Sequence, residues 1–497
     1  MEGLHYWMPA LIPLTSLIAS VVSFFMHGTD NSSRTFVNQS SALVNIGLVI
    51  WLMIGVHEGL FYEFRFPLFL GYDIVLHADA MSLLFVFLSS VLWLLTTIYA
   101  VGYFKGTLNQ NRFFGFFNLC VFATSSIAMS GNLFTFLVFY ELLTVATYPL
   151  VVHRGTREAI DAGRIYLVYT LIGGSVLLLA MVWMSSLAGP VDFIERGIVA
   201  GLPPSTHPQL VVIFFMLILG FGVKAALVPF HGWLPVAMIA PAPVSALLHA
   251  VAVVKAGAFG IVRVVFDIYG VAFCQQNGLL EVLVILASFT IIYGSVRALF
   301  QDDLKKRLAF STVSQVSYIM LGVATLSVTA TIGGIVHLVH QGLMKITLFM
   351  CAGNLQHEMK IRNVSEMDGI GKKMPLTMAA FTVAAFGMIG VPPLAGFISK
   401  WYLGLGALEA KQSWIVGVLV LSTLLNAGYF LPPIYRAWFK EPSEEVVSST
   451  PFKYKSVKRF LLFPPLVTAV LTILVGLLAS LPFSPLKWAS LIAFREY

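Results

Sequence analysis

The stretch VKAALVPFHGWLPVAMIAPAPVSALLHAVAVVKAG, residues 223–257, decides how the rest of the chain is read. It continues an apolar run over 210–222 that suits a lipid environment. Lys224 sits inside that run, and Pro229 then interrupts the helix. A polar knot of His231, Gly232, Trp233 and Pro235 follows, before Pro241 and Pro243 open a second apolar run carrying His249 and Lys255. A lysine near the centre of a membrane helix costs roughly 2.5–3.5 kcal/mol. Proline in a spanning helix is tolerated where the freed carbonyls face protein or a water-filled cavity. The combination points to a polar path through a membrane protein.

The whole composition agrees. The chain has 497 residues, 58% hydrophobic and 11% charged, with mean hydropathy +0.88. Soluble domains carry about 25% charged residues, so the chain reads as an integral membrane protein. Its length would suit about three soluble domains, but repeated spans favour one helical bundle. The first apolar run, 4–25, lacks a basic start and a small-residue cleavage site and is expected to be a retained helix. Cys120, Cys274 and Cys351 are far apart and form no metal or redox spacing. No phosphate loop, dinucleotide fingerprint, HExxH or CxxC is present, so neither a cofactor nor a metal is expected.

About fourteen runs are apolar enough to span. They cover 4–25, 42–56, 80–102, 113–130, 133–152, 162–188, 210–230, 244–266, 279–300, 308–326, 329–353, 375–402, 414–436 and 460–481, the second being short. With the N-terminus outside, the cytoplasmic loops hold 20 lysines and arginines and the opposite side 6, leaving Lys224, Lys255, Lys345 and Lys400 inside spans. That asymmetry supports the orientation, and an even number of spans puts both termini outside. It also accounts for the pI near 9.2 without nucleic-acid binding. The Asn31 and Asn38 glycosylation patterns then fall on the cytoplasmic side and read as chance matches. The polar stretch 440–459 reads as a surface loop.

A second broken helix is expected in AFGMIGVPPLAGFISKW, where Pro392 and Pro393, flanked by Gly390 and Gly396, interrupt span twelve ahead of Lys400. Spans four to eight and nine to thirteen are five helices each, and an odd number inverts the second unit against the first. Matching broken helices in inverted units point to a pathway at mid-membrane. The organisation is therefore 1–112, the first three helices; 113–266, the first five-helix repeat; 279–438, the inverted second repeat; and 439–497, a loop with helix fourteen.

The polar residues within spans are the candidate site. Glu141 is read as the acidic residue deep in a span, with Lys224 as its partner; the bland alternative is a structural salt bridge. Lys224 lies just before a break, where snorkelling is an alternative, whereas Lys255 is apolar-flanked on both sides. Burial disfavours a charged ammonium and lets a lysine exchange protons. In HLVHQGLMKITLF, His337, Gln341 and Lys345 recur at i, i+4 and i+8 on one helix face, with His340 one residue off the stripe. Such a stripe suggests a hydrated proton relay, although a lone histidine is more often a core residue. His249 is divided between relay and core roles, and His231 between gate and cap.

These segments, together with GVPPLAGFISK and HAVAVVKAGAFGIVRV, resemble the antiporter-like subunits of respiratory complex I and, more closely, the D component of multisubunit Mrp-type sodium–proton antiporters. The resemblance covers roughly spans three to thirteen. It implies an all-α membrane fold of fourteen helices with two inverted five-helix repeats, in a bacterial or archaeal cell membrane. It also implies Glu141 paired with Lys224, a central Lys255, a terminal Lys400, and His337 and Lys345 on span eleven. Two positions depart from the pattern: Gln341 stands where many relatives have histidine, and Val236 where many have aspartate.

The leading expectation is a proton-translocating subunit of a cation–proton antiporter, with hydrophobic partner subunits, protons and sodium as its partners, and the lipid bilayer around it. The alternatives are a proton-pumping subunit of a complex I-like oxidoreductase or membrane-bound hydrogenase, whose redox chemistry would reside in partner chains, and the membrane subunit of an inorganic-carbon uptake complex. A scaffold-only role fits poorly with buried charges.

Overall fold

The computed structural model describes residues 2–26, 31–69, 71–107, 109–442 and 459–497. Its helices are α1 (Glu2–Phe25), α2 (Asn31–His57), α3 (Ala80–Tyr103), α4 (Gln110–Ala128), α5 (Leu133–Val151), α6 (Arg157–Ala188), α7 (His207–Lys224), α8 (Trp233–Val236), α9 (Ala242–Ala250), α10 (Val253–Arg263), α11 (Val271–Gln276), α12 (Leu279–Leu299), α13 (Leu304–Ala324), α14 (Val328–Met359), α15 (Ile370–Lys373), α16 (Pro375–Ile389), α17 (Ala395–Glu409), α18 (Trp414–Phe439), α19 (Arg459–Leu477) and α20 (Pro485–Glu496). A hairpin of β1 (Glu63–Phe69) and β2 (Tyr72–His77) lies between α2 and α3.

The protein is a helical integral membrane protein. Among the described residues ten helices are long and apolar enough to cross a bilayer. Helix also occupies the other four expected stretches, for identifiable reasons short of that standard. Stretches eight and twelve are broken. The helix α4 starts with Gln110, Asn111 and Arg112, and α13 opens with Lys305, Lys306 and Arg307 and buries Ser311, Thr312, Ser314, Gln315 and Ser317. Most residues of α4 and α13 are buried against other helices.

The second stretch is longer than its apolar core. Asn38 and Asn45 on its polar side are buried: Asn45 Nδ2 donates to the Ile12 carbonyl at 2.8 Å, and Asn38 accepts from Asn118 Nδ2 at 2.5 Å. Asn38 is thus enclosed among α1, α2 and α4; the side chain of Asn31 and residues 443–458 of the expected loop lie outside the described residues.

Helix starts follow local chemistry. Asp79 caps α3 through the Ser82 N–H at 2.6 Å, Asn132 caps α5 through Thr135 N–H at 2.7 Å, and Asp303 caps α13 through Lys306 N–H at 2.8 Å. Each side chain satisfies a donor left free in the first turn. The hairpin was not anticipated from the sequence. At that end Leu76 bridges to Ser130, Asn132 bridges to Asp192, and Arg65 reaches Asp192 at 3.0 Å. At the other end Asp303 bridges to Asn363 and Arg436 reaches Asp368 at 2.9 Å.

The bundle is built around α14, which is buried along its apolar length and touches α3, α9, α13, α16, α17, α19 and α20. Glycines allow the closest approaches. A Cβ at Gly322 of α13 would sit 2.6 Å from the Ala330 carbonyl, and one at Gly342 of α14 would sit 3.2 Å from the Ala250 carbonyl.

Candidate functional site

Both proline breaks occur where expected. The helix α7 ends at Lys224, and the chain turns through Pro229 before α8. Trp233 Nε1 turns back to the Val223 carbonyl at 2.8 Å, so a carbonyl freed by the break gains a donor. The second break separates α16 from α17 at residues 390–394. A third break was not anticipated. The expected helix over 244–266 is divided into α9 and α10 at Val251 and Ala252, between His249 and Lys255. No proline or glycine marks it; the close approach of Gly342 to the Ala250 carbonyl occurs there.

The four span lysines share one form of coordination. Each donates to backbone carbonyl oxygen, and none has a carboxylate within 4 Å among the described residues. Lys224 donates to the Tyr140 carbonyl and lies 3.3 Å from the centre of the Tyr140 ring. Lys255 donates to the Leu338 carbonyl of α14 at 2.9 Å. Lys345 reaches Ser311 Oγ at 2.6 Å and the Leu308 carbonyl at 3.3 Å. Lys400 donates to the Met388 and Ile389 carbonyls, at 3.1 and 2.8 Å, and to Thr423 Oγ1 at 3.2 Å. It therefore sits at the C-terminal end of α16, where the helix dipole favours a cation.

Glu141 and Lys224 are within electrostatic reach of one another but form no ion pair within 4 Å. The expected contact pair is open in this structure. Glu141 Oε1 is enclosed without a protein partner, against α6. A Cβ at Gly174 would collide with it, so glycine there makes room for the carboxylate.

Beyond Lys255 the row divides. His337 Nδ1 bonds Ser399 Oγ at 2.8 Å, its ring lies 5.1 Å from that of Tyr318, and both Lys255 and Lys400 act on it electrostatically. Lys345, also in reach of Lys255, acts on His249. His249 is stacked 4.4 Å from Phe349, with Nε2 3.2 Å from Met238 Sδ. Gln341 and His340 are wholly buried, and neither finds a protein partner for its side-chain polar atoms. His231 is apart from the row: its ring meets Tyr293 at 5.0 Å and Phe310 at 6.2 Å.

A cavity of about 530 Å³ opens beside the segment after the first break, between Pro235, Met238, Arg154, Glu158 and Lys305. Lys305 and Arg307, read from the sequence as loop residues, are buried; Lys305 Nζ donates to the Ala240 carbonyl at 2.6 Å. At the hairpin end a 390 Å³ cavity is bounded by His77, Asp79, Asp267, Arg495 and Glu496. Here Arg263 bridges Asp79 at 2.7 Å and Asp267 at 3.0 Å. Arg263 is thus not a loop residue, and Asp267 is a buried acid that span-by-span reading missed. Burial opposes the Asp79 charge, yet Arg263 holds that carboxyl below its usual range. Burial, with Asp267 adding to it, pushes Glu496 up to about 8.

The sequence reading also passed over Ser422, Asn426 and Tyr429 of α18, which are all buried. Their i, i+4, i+7 spacing was the available signal.

Residues 130–426 match the family described as NADH:quinone oxidoreductase/Mrp antiporter, transmembrane region. NADH-quinone oxidoreductase subunit N of Desulforudis audaxviator is 38% identical over 69% of this chain and 68% of its own length. The D component of the Na(+)/H(+) antiporter of Bacillus subtilis is 28% identical over 95% of this chain and 93% of its own. A chain of the Mrp complex from Dietzia sp. DQ12-45-1b has a TM-score of 0.83 at 23% identity, over 99% of this chain and 98% of that one, which establishes the shared fold. A membrane-embedded bundle with lysines at its helix breaks, matched over these residues, identifies the chain as a member of the NADH:quinone oxidoreductase/Mrp antiporter family.

Proposed function

We propose that the chain is the proton-translocating subunit of a multisubunit monovalent cation–proton antiporter, with sodium as the exchanged cation. The observation that carries this reading is the row of four lysines held by carbonyl dipoles without carboxylate partners. A charge buried in this way is costly, and it is kept where it moves. Protons pass between Lys224, Lys255, His337 and Lys400, with Glu141 modulating the first and Lys345 and His249 forming a side branch. The unpartnered His340 and Gln341 mark the hydrated part of that row. The 530 Å³ cavity supplies access from the basic-loop side, which is the cytoplasm in this reading.

Fourteen crossings, two inverted five-helix units and external termini belong to the same proposal. The two broken helices with a lysine beside each break support it. The end-to-end match in length to an Na(+)/H(+) antiporter component favours antiport. The second reading, a proton-pumping subunit of an NADH:quinone oxidoreductase-type complex, is favoured by the higher identity to a chain of such a complex.

Purification of the tagged chain from its native membrane separates the two. Small hydrophobic subunits alone are expected. Stoichiometric iron–sulfur subunits and quinone reductase activity would overturn the antiporter reading in favour of the redox one.

A further inference from the structure

We propose that Ser311, Tyr429 and Asn426 form a hydrogen-bonded line that couples the charge state of Lys345 to that of Lys400, making them positioning residues for proton passage. The proposal rests on the proton-translocating reading above. Every link is present. Lys345 Nζ donates to Ser311 Oγ at 2.6 Å, and Ser311 Oγ lies 2.9 Å from Tyr429 Oη. Tyr429 Oη donates to Asn426 Oδ1, and Asn426 Nδ2 donates to the Met388 carbonyl at 3.3 Å. Lys400 Nζ shares that carbonyl at 3.1 Å. Lys345, Ser311, Tyr429 and Asn426 are all wholly buried. The line therefore runs from α14 through α13 and α18 to the break between α16 and α17.

Elementary chemistry fixes its direction. An ammonium only donates and a carbonyl only accepts. Met388 thus requires the Asn426 amide nitrogen, which leaves Oδ1 for Tyr429 and obliges that hydroxyl to donate. Ser311, accepting from Lys345, must then donate to Tyr429. All the donors point away from Lys345 while it is charged.

An amide oxygen is a poor proton acceptor, so the line relays orientation and not the proton itself. Loss of the Lys345 proton gives its nitrogen a lone pair, and the Ser311 hydroxyl turns to it. The Tyr429 hydroxyl then turns to Ser311 and releases Asn426, whose oxygen is free to rotate toward Lys400. A neutral Lys345 in this way favours a charged Lys400. The ionisable groups facing the line are Lys345 and His337 from α14, Arg307 and Tyr318 from α13, and Lys400 from α17, with Lys255 and His249 in reach of Lys345. Arg307 holds the Tyr429 carbonyl at 2.8 Å and fixes the backbone of the line.

The test is proton movement across pH by the full chain, with the subunits it purifies with, in sealed vesicles. Tyr429→Phe keeps the ring and removes two links. It is expected to slow transport about tenfold and to move the midpoint of the pH profile by about half a unit or more. Asn426→Leu should do the same, and the double variant should match either single within about twofold. Ser295→Ala removes an equally buried hydroxyl pair with Ser314 that makes no hydrogen bond to the line, and should stay within about twofold of wild type. If Tyr429→Phe does not assemble, Asn426→Leu and Ser311→Ala carry the same judgement. Wild-type rate and profile in assembled line variants would overturn the proposal, as would a loss at all pH values with an unmoved midpoint. An inactive wild type would instead bring down the functional reading, and the proposal with it.

Discussion

Lys255→Met separates a transport role from a structural one. Methionine keeps most of the aliphatic stem of lysine, so no large cavity is left. Relief of a mid-membrane charge is worth roughly 2.5–3.5 kcal/mol. The hydrogen bond lost to the Leu338 carbonyl is worth about 1.5–3 kcal/mol for a charged donor. Leu338 lies inside α14 and is not orphaned, because its carbonyl is also placed to accept within the helix. The net effect on stability is therefore between about −0.5 and +2 kcal/mol, neutral to mildly stabilising. Transport should nonetheless fall about 100-fold or more, as for loss of a proton-transfer group. Two measurements on the same purified sample decide: thermal unfolding in detergent and dye-monitored proton movement in vesicles. A stable variant at wild-type rate, or a variant destabilised by several kcal/mol, would refute the reasoning.

Three further outcomes are expected. Because Glu141 and Lys224 act on one another electrostatically without a contact inside 4 Å, the stability changes of Glu141→Gln and Lys224→Ala should depart from additivity by about 0.5 kcal/mol or more, and their transport losses should not add either; a double-variant cycle on both quantities checks this. Glu496 is held more readily protonated in the folded protein, at about 8, by burial and by Asp267. Its folded value exceeds the unfolded one, so the folded state binds more protons, and the hold on α20 weakens as pH rises from about 5 to 8. Proteolysis within α20 should be faster at high pH, and Glu496→Gln should flatten that dependence. For topology, cysteine at position 306 should label from the cytoplasm and at position 411 from outside, both lysines being exposed, whereas Lys305 is buried and unsuitable; labelling of both from one side would defeat the orientation.

Much of the bundle was legible because lipid imposes length and apolarity on helices, and proline imposes breaks. Lys224, Lys255, Lys345 and Lys400 stood out as charges in apolar runs; the first three are wholly buried and Lys400 is half-buried beside its break. What escaped depended on contacts between distant segments. The break at Val251 and Ala252 carries no breaker residue. The hairpin residues EFRFPLF are apolar enough to merge with neighbouring runs. Charge alone predicts a Glu141–Lys224 contact, but Tyr140 offers Lys224 a carbonyl and a ring face instead. Tyr429 and Ser311 are 118 residues apart, so their hydrogen bond has no local sequence signal.

The central claim is that protons cross through this chain in exchange for a monovalent cation. Its most direct test imposes a sodium gradient on vesicles holding the purified complex and follows lumenal pH. Sodium entering should drive protons out, and Lys255→Met in this chain alone should abolish the response. Proton movement that ignores sodium and potassium, or that persists unchanged in the Lys255→Met complex, would contradict the account.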